Sequence, residues 1–215
     1  MGTRNKTMVI KDKQVIINQY GQWDGYPTRA AAVIIDFIRN NGINKINEFI
    51  PKLKQVNIKS NGVRFSEMTL SYDKDFEDIQ KFIYYNENGE YGKKFIDRDT
   101  HAEAYFSSLD IEQQIDILVR QFGYERTALY IMLTRDTGYK VLDAMSYFSK
   151  KFPDKKIPVI IDEYDGFDIE GKNIIDLDNN IFITKYHDKI YTYSFDKLPT
   201  MNCLEEMEML DQDKN

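Results

Sequence analysis

The sequence predicts an α+β fold, and three observations carry that reading. Residues 7–20 are rich in β-branched side chains on either side of Asp12-Lys13, which is the pattern of a hairpin. Apolar residues then recur at helical spacing, first over about 28–41 and again over 111–122 and 137–148. From Lys155 the segments IPVIIDEY, NIIDLD, NIFITKY and KIYTYSF alternate or run apolar, as strands do. Strands at both ends with helices between them imply one antiparallel sheet, built from the N-terminal hairpin and the C-terminal strands, with several helices packed on one face. A single domain over 1–200 is expected, with a helical expansion at 86–130 and an acidic tail at 201–215.

The elements follow in order. TMVIK and QVIINQY flank the Asp12-Lys13 turn. After the loop YGQWDGYP, Ala30, Val33, Ile34, Phe37 and Ile38 mark a helix from about Thr28 to Asn41, which Asn41-Gly42 closes. A second helix is expected over INEFIPKLKQV, capped by Asn44 or Asn47, with Pro51 in its first turn or kinking it. SNG marks a turn and MTLSY a strand, and helical spacing returns at Phe76, Ile79 and Ile83. The polar, glycine-bearing stretch 86–100 reads as an exposed excursion. Ile111, Ile115, Leu118, Val119 and Phe122 form an amphipathic stripe that Gly123 stops, and another helix covers 124–133. The next begins at Asp136 or Thr137 and buries Val141, Leu142, Met145 and Phe148. DNN and HD supply the C-terminal hairpin turns. The end, LEEMEMLDQDKN, reads as a frayed tail or loose final helix.

Composition narrows the function classes. A net charge of -6, from 29 basic and 35 acidic residues, argues against general nucleic-acid binding, whose affinity comes from neutralising phosphates. One cysteine, Cys203, permits neither an internal disulfide nor a cysteine metal cluster. His101 and His187 lie far apart, and the acidic series from Asp162 to Asp178 fails the EF-hand pattern, with Ile181 where glycine is needed and His187 where the bidentate glutamate belongs. No metal and no cofactor are expected. No apolar run is long enough to span a membrane or form a signal peptide, so the expected location is cytoplasmic.

The candidate site is YGQWDGYP, which holds the sole tryptophan. Tyr20, Trp23 and Tyr26 offer faces on which a base or sugar could stack, and Gln22 and Asp24 offer hydrogen bonds to its edge. A purely structural reading has Trp23 plugging a sheet–helix junction while Asp24 ties the turn. Cationic candidates are Arg4 on the first strand, Arg29 at the first helix and Arg135 beside a helix N-terminus, where a phosphate or carboxylate could be held. Their convergence would make a cationic pocket with an aromatic wall.

The opening MGTRN, the hairpin and YGQWDGYP resemble a family of small proteins without established activity, common in bacteriophage genomes and also found in fungi; TRDTGYKVLDAM and IIDLDNNIF fit the same pattern. The resemblance covers a third to a half of the chain. Such proteins usually carry glycines after the proline, where this chain has Thr28-Arg29-Ala30-Ala31, and the region 86–130 is expanded. The resemblance implies a phage-type accessory role, such as countering host defence signalling from within the host cytoplasm. The leading expectation is a non-catalytic protein that captures a small anionic, nucleotide-like ligand. Two alternatives stand beside it: a hydrolase acting on a nucleotide-like small molecule, and a module that inhibits a host protein through its acidic surface and aromatic loop.

Overall fold

A computed structural model describes residues 3–22, 24–55, 109–133, 137–159 and 169–212. The chain forms two compact units, residues 1–57 with 131–215, and residues 58–130. The turn at SNG, the strand MTLSY, the helical spacing at 76–83 and the excursion 86–100 lie outside the described residues.

Strands β1 (Asn5–Lys11) and β2 (Gln14–Gly21) form the expected hairpin. Asp12 and Lys13 take φ of 52° and 59°, the left-handed geometry of a two-residue turn whose twist matches its strands. Aspartate tolerates that backbone, but lysine does not favour it. The Asp178 carboxylate compensates by accepting hydrogen bonds from both amides, at 2.8 and 2.7 Å, and these bonds hold its pKa below the usual carboxylate value.

The C-terminal strands β5 (Gly171–Asp176), β6 (Ile181–Tyr186) and β7 (Lys189–Ser194) join that hairpin in one sheet of order β2-β1-β5-β6-β7. The α+β architecture is therefore as the sequence predicts. One junction differs: β1 pairs with β5 in parallel, so the sheet is mixed. Nothing in a strand's own alternation distinguishes a parallel from an antiparallel neighbour. The register matches like with like on the buried face. Val9 lies beside Ile17 and Ile175, and Ile175 beside Phe182, while Thr7 lies beside Gln19 and Asn173, and Asn173 beside Thr184. A slip of one residue would turn this whole set outward.

Pro27–Ala31 form one π turn that leads into α1 (Ala32–Asn41), and Gly42, at φ 72°, ends it as expected. Ala30 and Ala31 are fully buried, so the π turn comes close to the sheet. α2 (Ile43–Phe49) is shorter than expected: a 3-10 turn over Ile50–Lys52 contains Pro51, and Leu53–Gln55 become β3. β3 pairs in parallel with β4 (Ile157–Val159) in a separate two-stranded sheet. The strand predicted at IPVIIDEY therefore stands apart from the main sheet, and its remainder lies outside the described residues.

α3 (Ile111–Leu133) is broken where Gly123 takes φ 76° and ψ 169°, as the glycine predicts. α4 (Val141–Lys151) follows a 3-10 turn at Gly138–Lys140 and buries Val141, Leu142, Met145 and Phe148. α5 (Met201–Gln212) is a packed helix, where a frayed tail or loose final helix was expected. Leu204 and Met207 are buried, and the helix lies against the π turn. Among the described residues, no helix is long and apolar enough to cross a membrane.

Candidate functional site

Gln22 and residues 24–26 follow β2 and cross the strand ends as a strap. The Gly25 amide donates to Thr3 O at 3.0 Å, which ties the strap over the start of β1. It then passes the first residue of β5 so closely that a Cβ on Gly171 would collide with Gly25 O. Beyond that point the Tyr26 ring stands 6.3 Å from the ring of Tyr186 on β6, and His187 packs edge-on to Tyr186 at 4.4 Å. At the other end, a Cβ on Gly21 would lie 2.6 Å from the Asn5 amide and 2.9 Å from Gly138 Cα. The glycines of YGQWDGYP thus answer a packing need, because backbone crosses backbone at both places.

Tyr20 is 7% exposed, and its hydroxyl donates to Gln22 Oε1 at 2.7 Å. Both residues of this pair brace the strap from within, so Tyr20 presents no open stacking face. Tyr26, at 39% exposure, does present one. Asp24 is exposed and holds φ 55°, a backbone state that aspartate tolerates better than most residues. Trp23 and Arg135 lie outside the described residues.

Of the three candidate arginines, the two that are described, Arg4 and Arg29, occupy different layers. Arg4 follows Thr3 and precedes Asn5 in an alternating burial pattern, which puts its side chain on the sheet face opposite theirs. Its backbone is fully engaged: the amide donates to Glu170 Oε2 at 2.8 Å, and the carbonyl accepts from Gly171 N at 3.0 Å. Arg29 stands exposed on the π turn, over the other face.

Arg29 has partners that motif reasoning missed. The Tyr139 hydroxyl lies within electrostatic reach of both the Asp24 carboxylate and the Arg29 guanidinium. Burial raises the Tyr139 pKa first, the Asp24 charge raises it further, and the Arg29 guanidinium opposes them. The hydroxyl therefore keeps its proton at neutral pH. Asp24, Arg29 and Tyr139 form a surface set with one fixed acceptor, one cation and one donor. Tyr139 stands in TRDTGYK, but no local pattern there links it to Asp24. Thr137 caps no helix, since its hydroxyl donates to Ile131 O at 2.6 Å.

The free amides at the start of the π turn are already served. Glu208 of α5 accepts from Thr28 N at 2.8 Å and from Thr28 Oγ1 at 2.6 Å. The acidic turn is similarly self-contained, with Asp176 Oδ1 accepting from the amides of Asp178 and Asn179 at 3.0 and 3.1 Å. Among the described residues, no three His, Cys, Asp or Glu side chains gather as metal ligands would. No protein-family model matches the chain, and no curated protein or solved structure is detectably similar to it.

Proposed function

We propose that the protein binds a small anionic, nucleotide-like ligand at the strap and releases it unchanged, as a phage-type accessory protein acting on host defence signalling. The observation that carries this reading is the grouping of Asp24 and Tyr139 within electrostatic reach of Arg29. A cation, an acceptor and a neutral hydroxyl lie within electrostatic reach of one another, and Tyr26, two residues beyond Asp24, presents an exposed ring. Arg29 meets the ligand's charge, Tyr26 stacks on its ring, and Asp24 and Tyr139 fix its edge. Catalysis would require an activated nucleophile or a poised base, and this set supplies neither.

The sole tryptophan, Trp23, lies in the strap's sequence and reports on it directly. Its fluorescence is titrated with mono-, di- and cyclic nucleotides and ADP-ribose derivatives, and the mixture is then chromatographed. A saturable change with the ligand recovered intact is the expected result. Arg29→Ala should weaken that binding by about 10- to 100-fold, the value of a charged hydrogen bond. A recovered product would establish the hydrolase instead. Silence across the panel would reduce the strap to architecture.

A further inference from the structure

The sheet face opposite the π turn carries its own pattern. Lys6 of β1 pairs in register with Lys172 of β5, and Lys172 with Lys185 of β6. With strands about 4.8 Å apart, the three lysines form a line roughly 10 Å long across the sheet. Like charges directly opposite one another destabilise a sheet. Neither Lys172 nor Lys185 enters an ion pair among the described residues. Two positions along the strands, Met8, Ile174 and Ile183 form a second line in the same register, roughly 7 Å from the first. All six are half-buried. On β2 the same face is covered, since Tyr20 and Asn18, in register with Lys6 and Met8, are buried; it opens toward β7, where Ile190, in register with Lys185, is 65% exposed. A cationic line thus runs beside an apolar one, on a chain whose net charge is -6.

We infer that this face docks an acidic amphipathic α-helix of a partner protein, lying across the strands. A helix rises about 5.4 Å per turn, close to the strand spacing, so carboxylates one turn apart meet Lys172 and Lys185. Its neighbouring apolar stripe then falls on Met8, Ile174 and Ile183, and Ile190 receives its end. The two-line pattern selects this partner over others. A nucleic acid would use the lysines, leave the apolar line bare and be repelled by the molecule as a whole.

The test uses the full chain and a labelled, helix-stapled peptide of about 14 residues, long enough to cross the three strands. One stripe carries glutamates at one-turn spacing and the adjacent stripe leucines. Anisotropy should show saturable binding that weakens with salt, and a lysine-for-glutamate version should bind at least about 10-fold more weakly. Lys172→Glu with Lys185→Glu should lose about 10-fold or more in affinity while thermal stability holds, because the double reversal keeps one like-charge pair and turns the contact with Lys6 attractive. Lys172→Gln keeps the comparison available if the reversal unfolds the chain, and Ile183→Ser should weaken binding through the apolar line. Equal binding of the two peptides, unchanged affinity in the lysine variants, or tighter binding of a single-stranded DNA oligonucleotide would each overturn the inference.

Discussion

A methyl group on Gly171 would be driven into the carbonyl of Gly25, and neither atom belongs to a side chain that can swing away. Gly171→Ala should therefore destabilise the protein by roughly 1–3 kcal/mol or more, as overpacking does. At Gly42, by contrast, an added Cβ meets nothing within 4 Å, so alanine there bears only the backbone strain of φ 72° and ψ 162°, a region nearly reserved for glycine, about 1–3 kcal/mol. Urea unfolding of the two variants separates crossing backbones from local strain. Tyr139 sets a different kind of expectation. Its folded pKa lies above its unfolded value, so its contribution is complete below about pH 10 and fades as pH rises through the folded pKa. Tyr139→Phe should flatten the alkaline limb of the stability profile. Asp24→Asn should move the Tyr139 titration, followed by tyrosine-labelled NMR, down toward the usual tyrosine value. YGQWDGYP was legible as a special loop from its glycines and aromatics alone. That Tyr20 faces inward and Tyr139 joins Asp24 was not, because both depend on which turn lies across the strand ends.

Elements were read well wherever one period ran uninterrupted. The Asp12-Lys13 hairpin, the Gly42 and Gly123 stops and the buried stripe of α4 all stand where local pattern places them. Periodicity failed after Pro51, where three residues of β3 are set by pairing with β4, about a hundred positions away. It also undervalued α5, whose acidic composition resembles a solvated tail. Leu204 and Met207 anchor that helix, and Glu208 fastens it to the π turn that carries Arg29. Leu204→Ala should cost about 2–5 kcal/mol, the usual value for a leucine cavity. Glu208→Gln keeps an acceptor but loses the charge at the start of the π turn, and should cost about 1 kcal/mol. If α5 supports the site as well as the fold, both variants should also loosen ligand binding in the Trp23 titration.

At the scale of the whole molecule, the first unit is assembled from both ends of the chain and has its own buried core. Val9, Ile17, Ile34, Phe49, Phe148 and Phe182 are all almost wholly excluded from water. Replacing residues 58–130 by a flexible Gly/Ser linker of about ten residues should leave a protein that still unfolds cooperatively and retains its sheet by circular dichroism. A chain that loses cooperativity would mean the second unit is needed for the first. The parallel seam between β1 and β5 also governs how the protein comes into being on a ribosome. Arg4 and the Glu170 carboxylate that receives its amide are 166 residues apart in the chain. At a synthesis rate of roughly 5–20 residues per second, the hairpin emerges roughly 8 to 30 s before the strand that must cover its open edge. During that interval an uncovered β-edge of seven residues is exposed to every other nascent chain. Slowing translation between the two should increase misassembly of newly made protein, while the finished fold keeps its stability.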